Sequence, residues 1–234
     1  SSRRPPPAPA PAAARCHLHA RPMPHCKRCQ DYKSAHQAQR RTTMPGDSLD
    51  VPVASASDDV LSSLTPRLRA QILQSAYFRS LHKLERVEEV IDQIYWHVDH
   101  MEPYSRGTDT EPSTAFCCLA RLLALRPSDA EVRQLVDHKD SPYIRAAGFL
   151  YIRYAFTARN VWRWFQDYLF DTEVFQPRGD GSASPLGEWL EVLLTEEKYF
   201  STVLPRMAQT LRREMCPLLL QLGDLRKSYE RNCE

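Results

Sequence analysis

The densest group of metal-competent side chains lies early in the sequence. His25, Cys26 and Cys29 sit together, with Cys16, His17, His19 and His36 nearby. The two-residue gap between Cys26 and Cys29 lets two thiolates reach one zinc ion, and four tetrahedral ligands could be drawn from this set. No second Cys-x-x-Cys matches it, so the same residues also fit a basic tail with incidental Cys and His. A second group, His97, Asp99, His100 and Glu102, falls at a predicted helix end. His97 and His100 are three apart and could share a face. A carboxylate–His metal site would need ligands from another helix, and no Glu-x-x-His partner occurs. The competing reading is that imidazoles at a helix C-terminus complement its dipole. Asp137-His138-Lys139-Asp140 resembles an acid–base pair but falls in a short interhelical turn, where solvated charges are the simpler reading.

Covalent catalysis has little to work with. Cys117 and Cys118 lie inside an apolar helix, where Cys behaves as a small hydrophobe. A nucleophilic thiol wants a helix N-terminus or a basic neighbour, and only Cys117 is near the first turns. There is no nucleophile elbow, P-loop or dinucleotide fingerprint, and seven Gly leave little material for a phosphate-cradling loop. No cofactor or small-molecule substrate is implied.

The remaining candidates are recognition residues. Arg145 and Arg153 stand just over two turns apart on a helix that is otherwise apolar, so they share a face. Buried Arg is almost always paired. Either they meet internal carboxylates, or their face reaches the surface and offers cations to a partner. Trp162 and Trp164 flank Arg163 on opposite sides of the next helix. One is expected in the core, and the other exposed as a partner anchor.

The elements that must position these residues are helical. Thr65-Pro66 is an N-cap followed by Pro at the first helical position. Val87, Val90, Ile91, Ile94, Tyr95 and Val98 form one apolar stripe. Ser113 caps a helix through Phe116, Leu119, Leu122 and Leu123. Ser128 and Glu131 form a capping box for Val132–Val136. Ser141-Pro142 opens a helix that is apolar on almost every face to Phe156, the pattern of a buried central helix. Gly148 within it costs about 1 kcal/mol of helix propensity, which points to a closely approaching neighbour. Thr157 caps the helix bearing Val161, Trp162, Phe165, Tyr168 and Leu169. Ser184-Pro185 repeats the cap-plus-Pro device. Thr195 is expected to cap a helix through Tyr199, Phe200 and Val203, ended by Pro205. A last helix is expected over about 206–222, kinked at Pro217. No segment shows strand alternation. The predicted fold is all-α: seven to nine short helices around a buried central helix, Pro142–Phe156.

Composition sets the organisation. Of the 31 Lys and Arg, nine lie in residues 1–46 with a single acid, Asp31; that stretch is +8 and the rest −6, against +2 for the chain. Eight of the 18 Pro also lie there, with almost no branched aliphatics. Such a segment cannot offset its ordering entropy by apolar burial, so residues 1–46 read as a disordered tail, 47–62 as a linker and 63–234 as one domain. The basic tail could neutralise RNA phosphates. No run of about 18 apolar residues crosses a membrane. Seven Cys, an odd number, and the absence of a signal-peptide apolar core after Arg3 and Arg4 point to a reducing intracellular compartment.

Several of these stretches resemble one family. SPYIRAAGFLYIRY (141–154) resembles the signature helix of the pre-mRNA-processing factor 38 family of splicing proteins. LHKLERVEEVIDQIYWHVDHMEPYSRG (81–107), STAFCCLARLLALRPS (113–128) and EKYFSTVLPRM (197–207) are similar to other family elements in the same order. The resemblance covers about residues 62–207. It departs in three ways: only Thr108–Pro112 fills the place of the family's Gly-rich insertion, no Arg/Ser-rich or acidic C-terminal tail follows, and the Cys/His-bearing tail is outside the pattern. The resemblance implies a non-catalytic, all-helical scaffold of the spliceosome in the nucleus, associated with the tri-snRNP and required for activation, with other spliceosomal proteins as partners. The alternative is an RNA-binding protein acting through residues 1–46.

Overall fold

The computed structural model describes residues 61–232. The tail 1–46 and the zinc-like set His25, Cys26 and Cys29 lie outside them. The described residues form nine α-helices: α1 Pro66–Gln74, α2 Ala76–Leu81, α3 Val87–His97, α4 Thr114–Leu125, α5 Asp129–Val136, α6 Pro142–Ala155, α7 Ala158–Phe165, α8 Leu186–Thr195 and α9 Gln209–Asn232. A 3₁₀ turn, Gln166–Tyr168, follows α7. Two small antiparallel pairs complete the fold: β1 (Val174–Phe175) with β2 (Ser184–Pro185), and β3 (Lys198–Tyr199) with β4 (Thr202–Val203).

The helix starts follow from local chemistry. Ser113 accepts the Phe116 N–H at 3.2 Å. At α5 the Glu131 carboxylate accepts from the Ser128 N–H at 2.8 Å, closing the predicted capping box. Thr65, Ser141 and Thr157 do occupy N-cap positions, but none makes a side-chain capping bond. At Thr65 and Ser141 the following Pro occupies the first turn, where an N–H would have no partner in any case.

Helix α6 is the axis of the domain. Every residue from Ile144 to Tyr154 is buried, and α3, α4, α5, α7 and α8 all pack against it. The contact with α5 is the tightest. A Cβ placed on Gly148 would sit 2.7 Å from Leu135 Cβ and 3.1 Å from Val136 Cγ1. Glycine is what lets α5 lie directly on α6.

Three expected elements differ. The helix expected after Thr195 is absent: Thr195 ends α8, and residues 198–203 form the β3–β4 hairpin. Tyr199 and Thr202 point into the core while Lys198 and Val203 face out, and Phe200 turns the chain at φ 49°. Ser184-Pro185 is a strand pairing with Val174 and Phe175, and α8 starts one residue later than a Pro at the first helical position would place it. The last helix begins at Gln209 and continues past Leu222, through Pro217, to Asn232.

Candidate interaction surface

The candidate metal and nucleophile groups resolve into structural roles. His97 is exposed and His100 is 6% exposed, so they do not share a face. Val98 leaves the helix in extended conformation, which swings His100 inward. Its Nδ1 accepts the Glu102 N–H at 3.2 Å, and burial lowers its pKa. The turn that follows is a knot. Met101 N–H donates to the Pro177 carbonyl at 2.8 Å, and Tyr199 donates to the Met101 carbonyl at 2.9 Å. Ser113 donates to the Glu102 carbonyl at 2.6 Å, and Gly179 N–H donates to the Glu102 carboxylate at 3.1 Å. Among the described residues no three His, Cys, Asp or Glu gather as a metal would require, and no helix is long and apolar enough to cross a membrane. Burial pushes Cys117 to about 11 and Cys118 to about 12, so both thiols stay protonated at neutral pH.

Arg145 and Arg153 were expected either to pair internally or to face a partner. With helices packed around α6, both are buried, 9% and 2% exposed. Arg145 takes the internal alternative. Its Nε donates to the Val136 carbonyl at 2.8 Å, one terminal nitrogen to Glu173 at 2.5 Å and the other to Asp171. Burial disfavours its charge, but the bonds to Asp171 and Glu173 outweigh that and hold its pKa above the ordinary value. Arg153 forms no ion pair among the described residues. Its Nε donates to the Leu193 carbonyl at 2.8 Å, Nη2 has no partner among the described residues, and burial pulls its pKa down to about 10.

Trp162 and Trp164 do not divide into one core and one exposed residue. Both are half-buried, flanking the core residues Val161 and Phe165 of α7. Trp164 is covered on its surface side by the Arg133 guanidinium, 5.0 Å from the ring centroid, and meets Phe156 edge-on at 5.9 Å.

The sequence reading missed Phe170 and Val174. They are 59% and 60% exposed, among the most open large apolar side chains of the described residues. The segment carrying them is braced along its length. Asp171 N–H donates to the Tyr168 carbonyl at 3.0 Å, Gly187 N–H to the Asp171 carbonyl at 2.9 Å and Leu186 N–H to the Glu173 carbonyl at 2.8 Å. Tyr168 donates to Asp137 at 2.5 Å. Arg145 grips Asp171 and Glu173 from beneath. An aromatic so held loses little entropy on binding. Nothing in the local sequence marks its exposure, because Phe165 and Phe175 on either side are buried.

Fold and surface together define an all-α domain wrapped on one buried helix, with a braced aromatic at its surface. The chain belongs to the PRP38 family, whose model matches residues 57–215. It is 39% identical over 154 residues to the pre-mRNA splicing factor SR-like 1 of Arabidopsis thaliana, a match spanning 66% of this chain and 39% of that protein. It is 36% identical over 173 residues to pre-mRNA-splicing factor 38B of Homo sapiens, spanning 65% of this chain and 32% of that protein. The chain thus matches well under half the length of these curated relatives. The fold resembles a chain in the crystal structure of the Snu23–Prp38–MFAP1(217–258) complex of Chaetomium thermophilum, with a TM-score of 0.63 and 21% identity, covering 78% of this chain and 100% of that one.

Proposed function

We propose that the chain is a non-catalytic protein-interaction scaffold of the spliceosome. It acts in the nucleus, associates with the tri-snRNP and serves the activation step of pre-mRNA splicing. The observation that carries this reading is membership of the PRP38 family along residues 57–215, among relatives named as pre-mRNA splicing factors. The solved structure of similar fold is a complex of a splicing protein with two others, which supports partner binding as the mode of action. The surface that fits the role is Phe170 and Val174, held by Arg145 through Asp171 and Glu173. Arg145 is a positioning residue there rather than a contact.

Depleting the protein from a splicing extract and adding back the purified chain tests the role. Complexes should stall after assembly and resume with the chain; splicing that proceeds normally without it overturns the reading. Phe170→Ser with Val174→Ser tests the surface. Co-elution with the cognate Snu23- and MFAP1-like proteins should be lost at unchanged melting temperature, since both side chains already face solvent.

A second reading is an RNA binder acting through residues 1–46, favoured by their +8 charge. It requires that deleting them abolish RNA binding and its salt dependence.

A further inference from the structure

Helix α7 carries a cation where helix physics least favours it. Arg159 is the second residue of the helix, the first turn holds no acid, and Thr157 makes no side-chain capping bond. A cation there opposes the positive end of the helix dipole. Arg163 lies one turn on, and like charges at i and i+4 repel. Both are exposed, and neither forms an ion pair with a described carboxylate; Asp167, four residues after Arg163, is exposed and does not pair with it. Arg163 itself lies in the last turn, where a cation complements the dipole, so the local conflict is the placement of Arg159 and the like-charge pair it makes with Arg163.

The same face carries an aromatic. Trp162 follows Arg159 by three residues, and Gln166 follows Trp162 by four and Arg163 by three, so the four side chains are neighbours. Trp162 packs one side on the core and is only half-buried. Trp164 is already covered by Arg133 and Phe156. The strip is therefore one indole, two guanidinium groups and one amide. The exposed large apolar side chains of the described residues all lie elsewhere, so the strip is charged and polar around a single indole. Guanidinium groups beside a half-buried indole are a pairing that binds single-stranded nucleic acid, phosphate to cation and base to ring.

The geometry points to the Arg159–Trp162–Arg163 face of α7, continued by Gln166 of the 3₁₀ turn, as a contact for single-stranded RNA, with the two arginines on phosphates and Trp162 stacking a base. The contact is short, because residues 47–234 carry −6 overall. It is independent of the scaffold reading and of residues 1–46, whose charge adds the same background to every variant.

The test uses the full chain and a fluorescent oligouridine of about twelve nucleotides, with binding followed by anisotropy between about 50 and 200 mM salt. Arg159→Gln with Arg163→Gln should weaken binding and flatten the salt slope by about 1.4, since each phosphate contact on a single strand contributes about 0.7. Trp162→Ala should weaken binding at least about fivefold while Trp162→Phe keeps most of it. Ultraviolet cross-linking of the wild-type chain should place the RNA on residues 158–166. Because Trp162→Ala can loosen the core, the exposed arginine pair decides the matter. Unchanged affinity and slope in the double variant overturn the proposal. So does a double variant that keeps RNA affinity but loses its protein partners, which would make the strip a protein interface.

Discussion

At the residue scale, α6 contains two buried arginines that make opposite predictions. Arg145 spends its charge on two carboxylates and a carbonyl, whereas Arg153 is buried with one carbonyl bond and an orphaned nitrogen. Removing one partner of a fully buried pair costs about 3–5 kcal/mol. Asp171 and Glu173 keep 21% and 36% side-chain exposure and can turn to water, so Arg145→Met should cost less, about 2–3 kcal/mol in chemical denaturation. Its signature should be faster hydrogen exchange at the Leu186 and Gly187 amides, whose acceptors lie on the braced segment. Arg145→Lys should not rescue it, because one ammonium cannot reproduce the fork. Arg153→Met should be neutral or stabilising, since it relieves a cation whose burial outweighs the pull of Glu197. A large loss of stability in Arg153→Met would show that the orphaned nitrogen has a partner, such as a buried water.

At the scale of elements, the α5–α6 contact depends on the missing side chain of Gly148. Alanine there gains about 1 kcal/mol of helix propensity. Its Cβ would also stand 2.7 Å from Leu135 Cβ, the root of that side chain, which moves only with the α5 backbone. Overpacking of this kind costs about 1–3 kcal/mol, so Gly148→Ala should be net destabilising by urea denaturation, and Gly148→Leu more so. A stabilised Gly148→Ala would mean that α5 can slide away freely. The helices themselves were legible because each is set by neighbours three and four residues away. The stretch after Thr195 was misread because Tyr199 and Val203 are four apart, a helical spacing. Yet it is Tyr199 and Thr202 that face inward, paired across a two-residue turn.

At the scale of the molecule, Leu61 and Leu64, 8% and 3% exposed, are the first core residues among the described residues, Leu61 at the end of the stretch read as a linker and Leu64 at the start of the domain. The family match begins close by, at residue 57. A chain starting at residue 57 should therefore melt with the full chain. One starting at Pro66 loses both leucines, each contributing about 1.5–3 kcal/mol, and should melt on the order of 10 °C lower. Equal melting of the two truncations would remove Leu61 and Leu64 from the core.

The sequence by itself determined the helix order, most caps, the buried central helix, the close approach at Gly148 and the family. Each rests on local spacing or on a run of residues read in order. Tertiary structure decided what the polar and aromatic residues do. Arg145 could have met a partner or a carboxylate; its carboxylates come from 26 and 28 residues away, and only the docking of the 171–173 segment against α6 selects them. His97 and His100 part because the chain leaves the helix between them. Phe170 is exposed and Phe175 buried, though both are phenylalanines in one short segment. Which side of a braced loop meets water depends on what packs beneath it, and no local periodicity encodes that.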